Sequence, residues 1–147
     1  MINSTGATVD VDGTYSDTCT VSGSSSSKST VVIAGTSITN ENILYEDTTC
    51  TTAGMTFKWT YTSLANNGST IVDSKTLTKM TYSTVSTEIT TNSSTYTAFA
   101  NLLSWCSKTD WVTDTTYDAT GVDCTSLGMS NQVAGITIYD IFYSSFL

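Results

Sequence analysis

The chain has 147 residues, one domain's worth of core, with 39% hydrophobic and only 12% charged positions. It contains no His, Arg or Pro, and its formal charge is −8. These counts exclude Ser-His-Asp and Cys-His nucleophile systems, imidazole metal sites and an arginine-lined nucleic-acid surface.

Ser and Thr supply 54 of the 147 residues, so hydroxyls rather than charges carry the solvated surface. Thr is β-branched and suits exposed strand positions. No run approaches the ~18 consecutive apolar residues of a transmembrane helix, so a membrane span is not predicted. Residues 1–12 are small and polar and read as a flexible lead-in, leaving 13–147 as a single β-domain. An exported form starting at Met1 implies that a targeting segment has been cut away.

From Gly13 the chain reads as short strands separated by turn signals. Gly13–Val21 alternates, Gly23–Ser27 reads as a turn, Thr30–Ala34 is a second strand, and Ile38 to Glu46 a third. The clearest strand is Met55 to Ser63. Met55, Phe57, Trp59 and Tyr61 share one face; Thr56, Lys58, Thr60 and Thr62 share the other. Asn66-Asn67-Gly68 then predicts a turn. Ile71 to Thr91 carries one or two strands, with a parity switch between Leu77 and Met80 that predicts a bulge or corner.

At Ser93 the pattern changes. Tyr96, Phe99, Leu103 and Cys106 recur at helical spacing behind a Ser93 or Ser94 cap. This predicts a helix near 94–106 with that face turned inward. Residues 107–131 read as irregular. Ala134–Phe146 is apolar on both faces and predicts a central or barrel-closing strand under the helix. The fold class is therefore all-β: an antiparallel barrel or curved sheet of roughly seven to nine strands with one helix.

The four cysteines are Cys19, Cys50, Cys106 and Cys124, and no pair is spaced CxxC. Three pairings are possible. Proximity in sequence favours Cys19–Cys50 and Cys106–Cys124, and oxidation points to an exported protein.

Candidate binding residues fall into two groups. Phe57, Trp59 and Tyr61 can line a cavity for a small apolar ligand, or they can simply fill the interior. Trp105, Trp111 and Tyr117 can anchor a cell-surface glycan or protein partner, or cover the helix and Cys124 as a satellite core. Catalytic residues are not predicted. Glu46 and Asp47 are adjacent and point to opposite strand faces, and Ser27-Lys28 and Ser107-Lys108 lack the setting of an activated serine. Asp10-Val11-Asp12-Gly13 and the series Asp110, Asp114, Asp118, Asp123 lack the offsets and closing Glu of a calcium loop. Neither metal nor cofactor is expected.

Several segments carry a family resemblance: Gly13-Thr14-Tyr15 followed by Cys19; Tyr45-Glu46-Asp47-Thr48-Thr49-Cys50; Asp110-Trp111; Gly121-Val122-Asp123-Cys124; and Tyr139-Asp140-Ile141-Phe142-Tyr143. In these the chain resembles small exported lipocalin-like β-barrel proteins, mostly hypothetical, of predatory and related Gram-negative bacteria. Gly13-Thr14-Tyr15 is similar to the Gly-x-Trp opening of true lipocalins, with Tyr in place of Trp. The resemblance implies a barrel with an open mouth and an extracellular, cell-surface or periplasmic location. It also implies a binding rather than an enzymatic role.

Overall fold

The computed structural model describes residues 12–72, 75–129 and 133–143. All of the expected lead-in except Asp12 lies outside the described residues. Eight strands form one antiparallel sheet: β1 (Gly13–Ser16), β2 (Thr20–Ser22), β3 (Ser25–Ala34), β4 (Ser37–Tyr45), β5 (Ala53–Val72), β6 (Lys75–Thr91), β7 (Thr116–Asp118) and β8 (Thr137–Tyr143). The order is β1-β3-β4-β5-β6-β7, with β2 also on β3 and β8 also on β6. Among the described residues no ladder joins β1 or β2 to β7 or β8, so the sheet is open rather than a closed barrel.

The alternation at 55–62 does what its period requires. Cross-strand neighbours share a face, so the register carries the Met55 face across the sheet. Leu44 lies opposite Met55, Asn42 opposite Phe57, Asn40 opposite Trp59, and Ile38 opposite Tyr61. On the other side of β5, Ile89 faces Phe57 and Thr87 faces Trp59. The reverse face is hydroxyl-rich and solvated. There Ser16 bonds Thr30 at 2.9 Å, Thr90 bonds Thr116 at 2.9 Å, and Lys58 pairs with Glu88 at 3.2 Å.

Two predicted turns run into strands: Ser25, Ser26 and Ser27 of the Gly23–Ser27 run already belong to β3. Asn66-Asn67-Gly68 stays within β5: Gly68 takes φ +89°, its N–H donates to Asn66 Oδ1 at 2.8 Å, and the register slips between Asn66 and Ser69. The bulge expected from the parity switch of Leu77 and Met80 thus sits on the partner strand, opposite Thr78–Met80. A second irregularity matters more for the site. Thr60 pairs with Ser86 but Tyr61 with Thr84, so Val85 has no partner on β5.

Helix α1 spans Ser94–Leu102 and is shorter than the sequence predicts. Ser93 caps it, accepting from the Tyr96 N–H at 3.2 Å while its own hydroxyl donates to Glu46 Oε1 at 2.5 Å. Only part of the expected inward face turns inward: Tyr96 packs over Gly54 of β5 and Cys106 is buried, whereas Phe99, Leu102 and Leu103 are 49%, 76% and 57% exposed. Ala100 is fully buried. The rest of the helix contact runs through small and hydrogen-bonded residues. Thr97 Oγ1 donates to Thr91 Oγ1 at 2.9 Å, and Asn101 brackets the Trp111 backbone with bonds of 3.0 and 2.7 Å. Left-handed backbone at Ser104 and Cys106 ends the helical path and turns Cys106 inward.

Both proximity-favoured disulfides are present, Cys19–Cys50 and Cys106–Cys124. The C-terminal strand is also corrected. Strand β8 pairs with Leu77–Ser83 of β6, at the end of the sheet away from the helix, and its Tyr139 is 81% exposed. Among the described residues it is an edge strand rather than a central one.

The inner face carries two hydrophobic clusters. The first joins Met55, Phe57, Ile89, Ala100, Cys106 and Trp111 under α1 and the following segment. The second joins Ile38, Leu64 and Met80, with Val31, Ile33, Tyr61 and Tyr82 packed around them.

Candidate functional site: the seam around Trp59

Five of the six sequence-predicted aromatics belong to the first cluster. Phe57 is buried there, and its ring stacks against Trp59 with centroids 6.0 Å apart and planes at 14°. Trp111 is only 4% exposed; its indole N–H donates to the Trp105 carbonyl at 3.2 Å, and its ring meets Tyr117 edge-on at 5.1 Å. Tyr117 in turn lies under the Lys108 ammonium, 5.1 Å from the ring centre. Trp105 is half-buried, 6.4 Å from Tyr96. Trp105, Trp111 and Tyr117 are therefore brought together, as a satellite core over the helix end and Cys124 rather than as an exposed loop surface.

Tyr61 belongs to the second cluster. It meets Tyr82 edge-on at 5.0 Å, and burial pushes its hydroxyl above the usual tyrosine pKa. The boundary between the clusters thus falls between Trp59 and Tyr61, two residues apart on one face of β5. We call this boundary the seam.

Polar groups concentrate there. Asn40 lies opposite Trp59 from β4, and Thr87 lies opposite it from β6, making one row across three strands. Thr84 lies opposite Tyr61 in the next row. Two threonines three positions apart would ordinarily face opposite sides of a strand. The unpaired Val85 restores parity, so Thr84 and Thr87 share the inner face. Asn40 Oδ1, Thr84 Oγ1 and Thr87 Oγ1 are all buried and have no hydrogen-bond partner among the described residues. Thr84 is 3% and Thr87 1% exposed. Unpartnered buried polar atoms are rare in a native fold, each costing about 1–3 kcal/mol when nothing satisfies it. Three on one face, in the rows of Trp59 and Tyr61, form a localised departure from that rule.

The backbone around the seam is satisfied. The Thr87 N–H donates to Thr120 Oγ1 at 2.9 Å and the Ala119 N–H to the Thr87 carbonyl at 2.8 Å. Beyond the bulge, the Thr84 N–H donates to the Ile136 carbonyl at 3.1 Å and the Gly135 N–H to the Thr84 carbonyl at 2.8 Å. The edge of β6 is thereby held on both sides of Val85, which fixes where the two threonine side chains emerge.

Four aspartates are committed elsewhere, three of them to local turns and Asp110 to Lys108. Asp47 accepts from the hydroxyl of Thr51 and the N–H of Thr52, each at 2.7 Å, and from the Thr49 N–H at 2.8 Å. These bonds, the Thr51 hydroxyl foremost, hold its carboxyl far below the usual range. Thr120 does the same for Asp118, Thr125 for Asp123, and the Lys108 ammonium for Asp110, each lowering the carboxyl pKa. Among the described residues no three metal-ligating side chains converge. Nor is any described helix long and apolar enough to cross a membrane. No protein-family model matches the chain, and no curated protein sequence matches it.

Asn40, Thr84 and Thr87 carry no local sequence signal. They lie in ordinary Thr- and Asn-containing strands, and only register and a bulge bring them together around Trp59.

Proposed function

We propose that this chain is an exported, non-enzymatic binding module that takes a small ligand on its inner sheet face at the Trp59 seam. The observation that carries the reading is the trio of buried, unpartnered oxygens on Asn40, Thr84 and Thr87. Ligand sites combine apolar and aromatic walls with a few well-placed polar groups, and a molecule admitted by parting of the two clusters at the seam would supply the missing partners. Phe57 and Tyr61 flank the site along β5. Two disulfides among four cysteines support export to an oxidising compartment. The resemblance to small exported lipocalin-like proteins points the same way. A chain without His or Arg, in which Asp47, Asp118 and Asp123 are tied into turns, supports binding over catalysis.

Docking through Trp105, Trp111 and Tyr117 is the weaker reading, because exposing Trp111 would require unpacking the first cluster. The test is to follow the Trp59 indole N–H by NMR, assigned with Trp59→Phe, while titrating a small-molecule panel that includes the neutral dye N-phenyl-1-naphthylamine. A saturable shift confined to this signal and its neighbours is expected. If only the Trp105 or Trp111 indole responds, the seam reading is wrong.

A further inference from the structure

We infer that the outer stripe of α1 is the contact surface for a second copy of this chain, the two helices packing antiparallel. This goes beyond the seam and does not depend on it. Positions i, i+3, i+4 and i+7 share one face of a helix, and one such set on α1 is Thr95, Ala98, Phe99 and Leu102. All four are exposed, as is Leu103 beside them. Asn101 holds the Trp111 backbone against the same helix, which brings Val112, 60% exposed, to the flank of the stripe. Single apolar side chains on a surface are ordinary, but a group of them along one face marks an interaction site. The inward side of α1 is already occupied, by Tyr96 over Gly54, Thr97 on Thr91 and the buried Ala100.

Charge selects the partner. No charged residue lies between Glu88 and Lys108 in the chain, whereas the whole molecule carries a formal −8. Two such molecules repel as wholes, so a surface without acids is where they touch with least opposition. Glu46, which accepts from the Ser93 hydroxyl, sits at the capped end rather than on the stripe. A basic partner would find no carboxylate on the stripe to bind.

Size sets the orientation. Consider a two-fold axis through the middle of the stripe, between Ala98 and Phe99. Antiparallel helices then place Thr95 against the partner's Leu102 and Ala98 against the partner's Phe99. Each contact sets a large side chain on a small one, as interdigitating ridges require, and symmetry repeats both. A parallel pair would instead set Phe99 on Phe99 and Leu102 on Leu102, leaving the small positions unfilled. Area sets the strength. The helix has nine residues, and its stripe offers roughly a few hundred Å² against about 800 Å² per partner in a standard interface. The dimer is therefore weak, with Kd on the order of 100 μM.

Sedimentation equilibrium of the full chain, both disulfides formed, tests this between about 10 μM and about 1 mM. The mass should climb from one chain towards two with concentration. It should climb further when salt is raised from ~0.01 M to ~0.15 M, because screening relieves the repulsion between like-charged copies. Leu102→Asp should weaken the dimer by about tenfold or more and leave the melting temperature of the monomer unchanged, since Leu102 is mostly in solvent. Ala98→Phe sets large against large and should weaken it by a similar factor. Combining Ala98→Phe with Phe99→Ala exchanges the sizes across the same axis and should restore association. The inference is overturned if the chain stays monomeric throughout, or if Leu102→Asp dimerises like the parent. It is also overturned if Ala98→Phe tightens association, as it would for an apolar patch without fixed geometry, or if the exchange restores nothing. A monomer that instead binds phosphatidylcholine vesicles, and loses that binding in Leu102→Asp, would assign the stripe to a lipid surface and likewise overturn it. Each of these outcomes leaves the Trp59 seam as it stands.

Discussion

The same sheet face buries two clusters by different means. Around Met55 and Ile89, the strands are roofed by α1 and by the segment carrying Trp111, Ala119 and Cys124, and both residues reach zero exposure. Around Ile38, Leu64 and Met80 the partners come from strands alone: Val31 and Ile33 from β3, Tyr61 from β5 and Tyr82 from β6. Residues from four strands can converge like this only if the sheet curls, and the slips along β5 and β6 supply the local twist for it. None of these three reaches the zero exposure of Met55 and Ile89: Met80 is 3%, Ile38 5% and Leu64 9% exposed. A roofed cluster is sealed by a second layer; a curled one is sealed by its own curvature and stays closer to solvent. The seam lies where one mode gives way to the other, and neither supplies partners for its oxygens.

The comparison breaks most directly at the isoleucines. Ile89→Ala empties a site enclosed on all sides and should cost about 4 kcal/mol; Ile38→Ala, where neighbours can relax into the gap, should cost nearer about 2 kcal/mol. Urea unfolding followed by Trp fluorescence measures both. Equal costs would mean that the curled cluster is as rigid as the roofed one. Native-state hydrogen exchange sharpens the point, since amides of Phe57 and Ile89 should outlast those of Leu64 and Met80.

The disulfides extend the contrast. In the chain-entropy model each closes a loop contributing about 3–4 kcal/mol, slightly more for Cys19–Cys50, whose separation is 31 residues against 18. Burial ranks them the other way. Cys106 and Cys124 are core residues at 2% exposure each, whereas Cys19 lies on the surface. Replacing Cys106 and Cys124 by alanine should therefore cost about 1 kcal/mol more than replacing Cys19 and Cys50, the scale of lost buried sulfur packing. The reverse order in denaturant midpoints would show that loop closure outweighs packing in this fold.

A third test concerns how closely the roof sits. Gly54 is buried on β5, and a Cβ placed there would overlap the Tyr96 ring. Gly54→Ala should cost about 1–3 kcal/mol by forcing Tyr96 aside. Adding Tyr96→Leu should recover part of it. Failure to recover would place the strain in the strand rather than under the helix.

What the sequence made legible follows the same division. The period of two at Met55–Tyr61, the Ser93 cap and the cysteine pairing all rest on local spacing, and Met55, Phe57, the cap and Cys106–Cys124 all belong to the roofed half. The helix face follows its apolar spacing only at Tyr96. The rest of the contact uses Ala100, Thr97 and Asn101, small or hydrogen-bonded residues that allow close approach, and leaves Phe99, Leu102 and Leu103 outside. Asn66-Gly68 was misread because an asparagine side chain bonding two residues on looks the same in sequence whether it turns the chain or bulges a strand. The seam was illegible for a stronger reason. Asn40, Trp59 and Thr87 meet only through two independent registers, and Thr84 joins them only because Val85 is skipped. No window of sequence contains that information.

The smallest expected effect lies behind the roofed cluster, on the solvated face. Lys58 pairs with Glu88 at 3.2 Å, but their side chains are 43% and 33% exposed. Water competes for both groups, and holding a long lysine in one rotamer costs entropy. Lys58→Met keeps the stem that covers the sheet and removes only the charge, so it should change stability by less than about 1 kcal/mol. The change should shrink as salt is raised, because a half-exposed pair is screened. A double-mutant cycle with Glu88→Gln isolates the pair from its surroundings. A coupling well above 1 kcal/mol would mean that the outer face helps to set the register around Trp59 and Thr87. The seam would then depend on both faces of the sheet, and the contrast between the two clusters would no longer belong to the inner face alone.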